Sequence, residues 1–360
     1  MNKKLLNYLN HVWQSLLFWT IAMVIFGLVR FYGIDQDEGI QIKEGYENII
    51  TMANMLPYFA LLGAAMGLIF GNLEFGFERL ISNRLSIGVR MLLKMLSYFI
   101  VVIILLTLLI ELITHVFNIE INNERGWWRT DKTFRAILLY IFLAAMVFSF
   151  IKISNEKFGK GIFLKMLLGK YKKPTEEYRI FMFLDLKSST TIAEQLGHFK
   201  YSQLIQDCFY DLNEVVPKYG AEIYQYVGDE AVLSWPYKKG LANNQCVELF
   251  FSFQDLIRSK SDYYQNKYGT VPQFKAGLHG GRLMVAEVGV VKKELAFHGD
   301  VINTSARIQA ECNTYDVPIL VSEQLVSDLP TTSEFVSQSL GSVLLKGKNQ
   351  KVNIFTLIKT

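Results

Sequence analysis

The sequence predicts an α-helical domain with four membrane spans, followed by an α+β domain whose helices pack on a largely antiparallel sheet. Three observations carry this. Of 360 residues, 51% are hydrophobic and the mean hydropathy is +0.22, too apolar for an ordinary soluble chain and too polar for one lying wholly in a membrane. The apolar excess sits in roughly the first 155 residues, as four long hydrophobic runs. The remainder mixes strand and helix patterns and has the length of one globular domain. The expected division is 1–153 for the membrane domain, 154–175 for a juxtamembrane linker helix and 176–360 for the α+β domain.

The runs extend from Val12 to Val29, Met52 to Phe70, Met91 to Phe117 and Phe134 to Ile153. Each can cross a hydrocarbon core of about 30 Å. The first does not read as a signal peptide: Lys3 and Lys4 give a basic start, but no small-residue cleavage site precedes Arg30. The first connection is acidic (Asp35, Asp37, Glu38, Glu44 and Glu47 against Lys43). Arg79, Arg84 and Arg90 flank the second, and lysines 152, 157, 160, 165, 170, 172 and 173 follow the fourth run. Positive charge stays inside, so the expectation is a multi-pass protein of the plasma (inner) membrane with both termini cytoplasmic; the third connection, with Arg125, Arg129 and Lys132, is mixed. Glu111 and His115 lie one helical turn apart near the outer end of the third run, as a ligand, proton or metal site or as headgroup residues. His11 reads as a headgroup residue at the inner end of the first. The low polar content of the runs favours an anchor and sensor over a channel.

From Asn155 to Lys173, Phe158, Ile162, Phe163, Met166 and Leu167 recur at helical spacing among lysines. This linker reads either as a paired helix in a dimer or as an amphipathic helix on the anionic inner leaflet. Gly159, Gly161 and Gly169 disfavour a long coiled coil, and Pro174 ends the helix.

In the second half, Arg179–Leu186 reads as a buried strand, followed by a helix from about Thr190 to Tyr219. Strands Ala221–Val227 and Ala231–Trp235 flank a turn at Gly228-Asp229. A helix from Gly240 to Tyr268 follows, then a hairpin of Phe274–His279 and Leu283–Val288 across Gly280-Gly281. A helix from about Val301 to Asn313 and strands Pro318–Ser322 and Val352–Ile358 complete the pattern. Net charge is +4, and no basic stripe with interleaved aromatics points to nucleic acid. Cys208, Cys246 and Cys312 have no zinc-site spacing and read as reduced thiols.

Asp185 ends an apolar strand, and Lys187, Ser188, Ser189 and Thr190 lead into a helix whose first N–H groups favour phosphate oxygens. Asp229 lies in a turn after another apolar strand. Singly, each aspartate reads as a turn or cap residue. Together, on neighbouring strand ends beside a phosphate cradle, they read as a site for hard divalent cations. Asn303 and Arg307, four apart on a helix, share one face and can hold a ribose and a phosphate; singly they read as ordinary helix residues.

Four blocks in order, FLDLKSSTT, YQYVGDEAVL, HGDVINTSAR and LLKGKNQKVNIFTL, resemble the catalytic domain of the class III nucleotidyl cyclases, the adenylyl and guanylyl cyclases, over roughly Arg179 to Lys359. The resemblance implies a ferredoxin-like core and a lyase that converts a nucleoside triphosphate to a 3′,5′-cyclic nucleotide and pyrophosphate. It implies that Asp185 and Asp229 hold two Mg²⁺ or Mn²⁺ ions. Asn303 would orient the ribose, Arg307 would neutralise the α-phosphate in the transition state, and Lys346 or Lys348 would contact the outer phosphates. It also implies a head-to-tail homodimer, with the aspartates of one chain facing the Asn and Arg of the other.

Two positions depart from the family. Gln225 and Ala296 stand where it carries its base-selecting pair, and they match neither the adenylyl nor the guanylyl residues. ATP is the first expectation, with GTP or a pyrimidine nucleotide as alternatives. A catalytically silent nucleotide-binding module is a reading from another class. A diguanylate cyclase, suggested by Gly228-Asp229-Glu230, ranks last because Val227 and Ala231 break its loop motif.

Overall fold

The computed structural model describes residues 3–33, 51–80, 87–117, 132–158, 162–291, 293–331 and 334–360. The acidic first connection (Asp35 to Glu47), Arg84, Arg125, Arg129, Gly159, Lys160 and Gly161 lie outside the described residues. The chain forms two compact units, Met1–Ile153 and Ser154–Thr360.

The first unit contains α1 (Lys3–Gly33), α2 (Met52–Leu80), α3 (Ile87–Phe117) and most of α4 (Lys132–Phe158). Three of them hold stretches long and apolar enough to cross a membrane: His11–Tyr32, Met52–Gly76 and Arg135–Lys152. The apolar stretch of α3 is shorter, Leu92–Leu108, among the described residues. Small residues bring α1 and α2 together: a Cβ on Gly63 would stand 2.5 Å from the Trp19 carbonyl, and one on Gly67 2.5 Å from Leu16 Cα. Their four-residue spacing puts both on one helix face, which lets the two backbones approach closely. Trp19, Met23, Met66 and Phe70 fill the interior.

One polar cluster joins all four helices. Glu74 on α2 is 2% exposed. Lys152 Nζ of α4 donates to its Oε2 at 3.0 Å, Lys94 Nζ of α3 lies 3.7 Å from Oε1, and His11 Nε2 of α1 lies 3.6 Å from Oε2. His11 therefore faces a buried carboxylate rather than only a headgroup layer. Glu111 and His115 are exposed on α3.

The second unit opens with α5 (Ile162–Leu167) and continues through β1 (Thr175–Leu186), α6 (Ser189–Val215), β2 (Glu222–Val227) and β3 (Glu230–Pro236). Then come α7 (Tyr237–Leu241), α8 (Gln245–Ser259), α9 (Ser261–Tyr268), β4 (Phe274–Val288), β5 (Glu294–His298) and α10 (Asp300–Glu311). β6 (Ile319–Ser322), α11 (Glu323–Asp328), β7 (Phe335–Val343) and β8 (Val352–Lys359) complete it. Among the described residues these strands form one sheet in the order β2-β3-β1-β4-β6-β8-β7, with β5 paired to the far end of β4. Every pairing is antiparallel except β4 with β6.

β1 is buried on both faces, which accounts for its unbroken apolar run. Ile180, Met182, Leu184 and Leu186 pack under α6, α8 and α9 with Leu204, Leu212, Phe250, Phe253 and Tyr264. Phe181 and Phe183 face the other way, onto Val232, Leu283, Val285 and Val301 of α10. Because side chains alternate along a strand, Asp185 belongs to the α10 face.

Three expectations are corrected. Gly280 and Gly281 do not turn the chain: β4 is one strand running straight through them. A Cβ on Gly280 would stand 2.4 Å from Tyr237 Cε2, and one on Gly281 2.8 Å from Val301 Cγ2, so these glycines admit neighbours on both faces. The helix expected from about Gly240 to Tyr268 is divided twice: Asn243 and Asn244 take left-handed conformations at φ 52° and 53°, and Lys260 departs from helical geometry at φ −103°, ψ 18° between α8 and α9. The linker is not one helix over 154–175. Among the described residues α5 closes at Leu167, turns follow from Leu168 to Lys173, and Tyr171 is buried against the sheet.

Candidate active site

The strand register brings the two aspartates to one place. Asp185, near the end of β1, pairs with Glu230, the first residue of β3, and Asp229 precedes it in the tight turn at Gly228 (φ 62°). The charges interact. Burial pushes the Asp185 carboxyl above its ordinary range; Lys275 and Gln309 work against the rise and Asp229 adds to it. Burial, then the charges of Asp185 and Asp229, push Glu230 up to about 7, with Lys275 opposing. Among the described residues no three His, Cys, Asp or Glu side chains are set as a ready-made metal cage. Oxygen donors carrying this excess of negative charge nonetheless suit a hard divalent cation that keeps part of its water or takes phosphate oxygens.

Asp185 is held from behind. Lys275, its register partner on β4, places Nζ 3.2 Å from Asp185 Oδ2 and also donates to Asn313 Oδ1 at 3.2 Å. Gln309 Nε2 of α10 donates to the same Oδ2 at 3.0 Å. The sequence singled out neither residue. Their signal was faint: Lys275 interrupts an apolar strand, and Gln309 sits on the buried face of a helix.

Ser188 stands at the N-terminus of α6 with φ 58°, and the helix starts at Ser189. Thr190 is exposed in its first turn, and Lys187 pairs with Asp316 at 2.9 Å. On α10, Val301, Thr304, Ser305, Ile308 and Gln309 are buried, Asn303 is exposed and Arg307 is half-buried. The Arg307 guanidinium lies beside Gly347, whose added Cβ would be 3.4 Å from it. That loop also carries Lys346, which is exposed, and Lys348, whose Nζ is 2.6 Å from Asp300 Oδ2 at the start of α10. Gln225 on β2 is exposed and Ala296 on β5 is half-buried. Their chain neighbours Tyr224 and Phe297 meet edge to face with centroids 4.7 Å apart, which brings both positions to one region of the sheet.

The family model described as the adenylate and guanylate cyclase catalytic domain matches residues 171–359. The chain belongs to this family. Adenylate cyclase 2 of Rhizobium meliloti (strain 1021) is 34% identical over 221 residues, 61% of this chain and 61% of that protein. The receptor-type guanylate cyclase gcy-5 of Caenorhabditis elegans is 24% identical over 184 residues, 50% of this chain and 16% of its own length. The chain thus spans under two thirds of either relative. A bacterial light-regulated adenylyl cyclase of known structure shares the fold at a TM-score of 0.52 and 16% identity, covering 61% of this chain and 64% of that one. The cyclase domain accordingly has its mixed sheet and packed helices from the family, with the apolar helices preceding it in the chain.

Proposed function

We propose that this chain is a membrane-bound nucleotidyl cyclase that converts a nucleoside triphosphate, ATP first, to its 3′,5′-cyclic nucleotide and pyrophosphate at a homodimer interface. The observation that carries the reading is the meeting of Asp185 with the Gly228–Glu230 turn, while Asn303 and Arg307 occupy the outward side of α10. Oδ2 of Asp185 is occupied by this chain's own donors from α10 and β4. In this reading a second copy supplies Asn303 and Arg307 in head-to-tail symmetry, which is supported by Gln309 of the same helix, two residues from Arg307, being the one turned to Asp185.

In this reading Asp185 and Asp229 would hold two Mg²⁺ or Mn²⁺ ions, which when bound lower the proton affinity of the ribose 3′-hydroxyl and offset triphosphate charge. The 3′-hydroxyl passes its proton to bulk water, O3′ forms a bond to the α-phosphorus, the bond from that phosphorus to the α,β-bridging oxygen breaks, and pyrophosphate leaves with the electron pair. Asn303 orients the ribose, and Arg307 meets the charge that grows on the α-phosphate oxygens. The start of α6, with Lys187, Ser188, Ser189 and Thr190, offers N–H and hydroxyl donors to phosphate oxygens. Lys348 is favoured over Lys346 for the outer phosphates, because it is the lysine placed at the start of the Asn303/Arg307 helix. Gln225 and Ala296 face the base, and a glutamine amide both donates and accepts. The apolar helices anchor the enzyme with both termini cytoplasmic.

The test is turnover by the full chain in detergent with Mn²⁺ and each of ATP, GTP, CTP and UTP. Cyclic product from one of them, lost in Asp229→Ala, is the expected result; no product from any would overturn the reading. The unusual Gln225/Ala296 pair favours one alternative, a silent nucleotide-binding module, which predicts binding without turnover.

A further inference from the structure

The hold on Asp185 is built from three elements. Lys275 is buried, 9% exposed, and lies opposite Asp185 in the β1–β4 register, so its ammonium is fixed by the sheet. Asn313, just beyond α10, accepts from the same ammonium and fixes it further. Gln309 is 6% exposed, and its backbone is clamped on β4: a Cβ on Gly277 would stand 2.2 Å from Gln309 N. Both side chains end on Oδ2, one oxygen of the two. Two buried donors on one oxygen set the carboxylate's rotation, and a buried ammonium beside it adds a fixed positive charge.

We propose that Lys275 and Gln309 are positioning residues that tune the cation site: Gln309 fixes the orientation in which Asp185 meets a divalent cation, and Lys275 is a resident counter-charge that weakens cation binding while keeping the empty carboxylate paired. The inference rests on reading Asp185 and Asp229 as cation ligands. A buried carboxylate without a partner is costly, so the ammonium preserves the fold when no cation is present. The same ammonium repels an incoming divalent ion through a medium that screens poorly. Gln309 adds no charge, so its loss should loosen geometry alone. The two residues therefore act on cation affinity in opposite directions, which a purely structural role would not produce.

The experiment uses full-length protein in detergent at pH 8 without nucleotide. Mn²⁺ affinity is read from the electron paramagnetic resonance of free Mn²⁺, and the melting temperature is read with and without Mn²⁺. Lys275→Met should bind Mn²⁺ about tenfold more tightly, melt lower in its absence and recover most of that loss when it is added. Lys275→Arg should stay within about twofold of wild type on every reading. Gln309→Met should weaken Mn²⁺ about fivefold. If Lys275→Met folds in neither condition, Lys275→Gln carries the same expected direction. Unchanged or weaker Mn²⁺ binding in the neutral Lys275 variants overturns the inference. So does a shift of both residues in the same direction. Asp185→Asn and Asp229→Asn separate the two levels: if neither alters Mn²⁺ binding, the cation-ligand reading fails. If both abolish it while Lys275→Met and Lys275→Gln match wild type, only the present inference fails.

Discussion

Gln309 and Arg307 lie two residues apart on α10 and serve opposite sides of it. Gln309 Nε2 donates to Asp185 Oδ2 at 3.0 Å, whereas the Arg307 guanidinium stands beside Gly347 in the loop before β8. Two residues on an α-helix are separated by about 200° of rotation. With Gln309 turned to the aspartate, Arg307 of the same chain turns away from it.

A mixing experiment follows from that geometry. Asp185→Asn and Arg307→Ala should each lower turnover at least about a hundredfold as homodimers. Co-expressed, the two variants form heterodimers with one intact site, and random pairing should restore about a quarter of wild-type activity. Product formation by the purified mixture is the measurement. Failure to recover activity when heterodimers are present would place the whole site within one chain.

The glycines of β4 make a graded stability series. Gly277→Ala drives a Cβ to 2.2 Å from the backbone N of Gln309, which cannot yield without lifting α10 off the sheet. Gly280→Ala meets the Tyr237 ring at 2.4 Å, and that ring is stacked on Tyr178 at 3.8 Å and bonded to Asp328 at 2.6 Å. Overpacking of this kind costs about 1–3 kcal/mol. Thermal melts should place Gly277→Ala at or above the upper end and Gly280→Ala within the range. A neutral Gly277→Ala would contradict the close approach of α10.

These same glycines show where the sequence was legible and where it was not. Strand β1 could be read because an unbroken apolar run ending in Asp185 has few alternatives. Asp229 could be read because Gly228-Asp229 is a turn in sequence and in space. Gly280-Gly281 carries the same local signal as a hairpin, and only the neighbours Tyr237 and Val301 reveal that the glycines make room rather than a bend. Lys275 and Gln309 acquire their role through strand register and helix placement, both long-range facts that no local pattern encodes. β5 and β7 went unread because short or half-exposed strands lack a strong alternation.

His279 predicts a pH dependence of stability. Burial, then the nearby Lys348 ammonium, hold its imidazole down to about 4, while Asp300 pulls the other way; Nδ1 lies 2.7 Å from Ser322 Oγ. The unfolded chain binds the proton near pH 6.5, the folded chain only near 4. Between these values the unfolded state carries more protons, so stability is full above about pH 6.5 and falls as the pH drops toward 4. The loss approaches about 3 kcal/mol. Glu230, raised to about 7, gains stability over the same interval, so the His279 contribution is read as a difference: from pH 7.5 to 4.5 the wild-type melting temperature should fall relative to that of His279→Gln. An equal decline in both proteins would remove His279 as its source.

The four-helix cluster around Glu74 can be separated into charge and packing. Glu74→Gln keeps the shape but leaves the Lys152 and Lys94 ammoniums without their carboxylate, 3.0 and 3.7 Å away in the native cluster. Lys152 and Lys94 are 21% and 24% exposed, so leaving them without the carboxylate should cost less than the about 3–5 kcal/mol of a fully buried pair. Adding Lys152→Met to Glu74→Gln removes the principal stranded charge. The double variant should therefore be more stable than the single one, a coupling that independent sites would not show. Thermal unfolding of the detergent-solubilised full chain, followed by helical circular dichroism, compares wild type, Glu74→Gln, Lys152→Met and the double variant. A double variant that melts at the sum of the two single losses would mean that the lysine and the carboxylate do not act on one another.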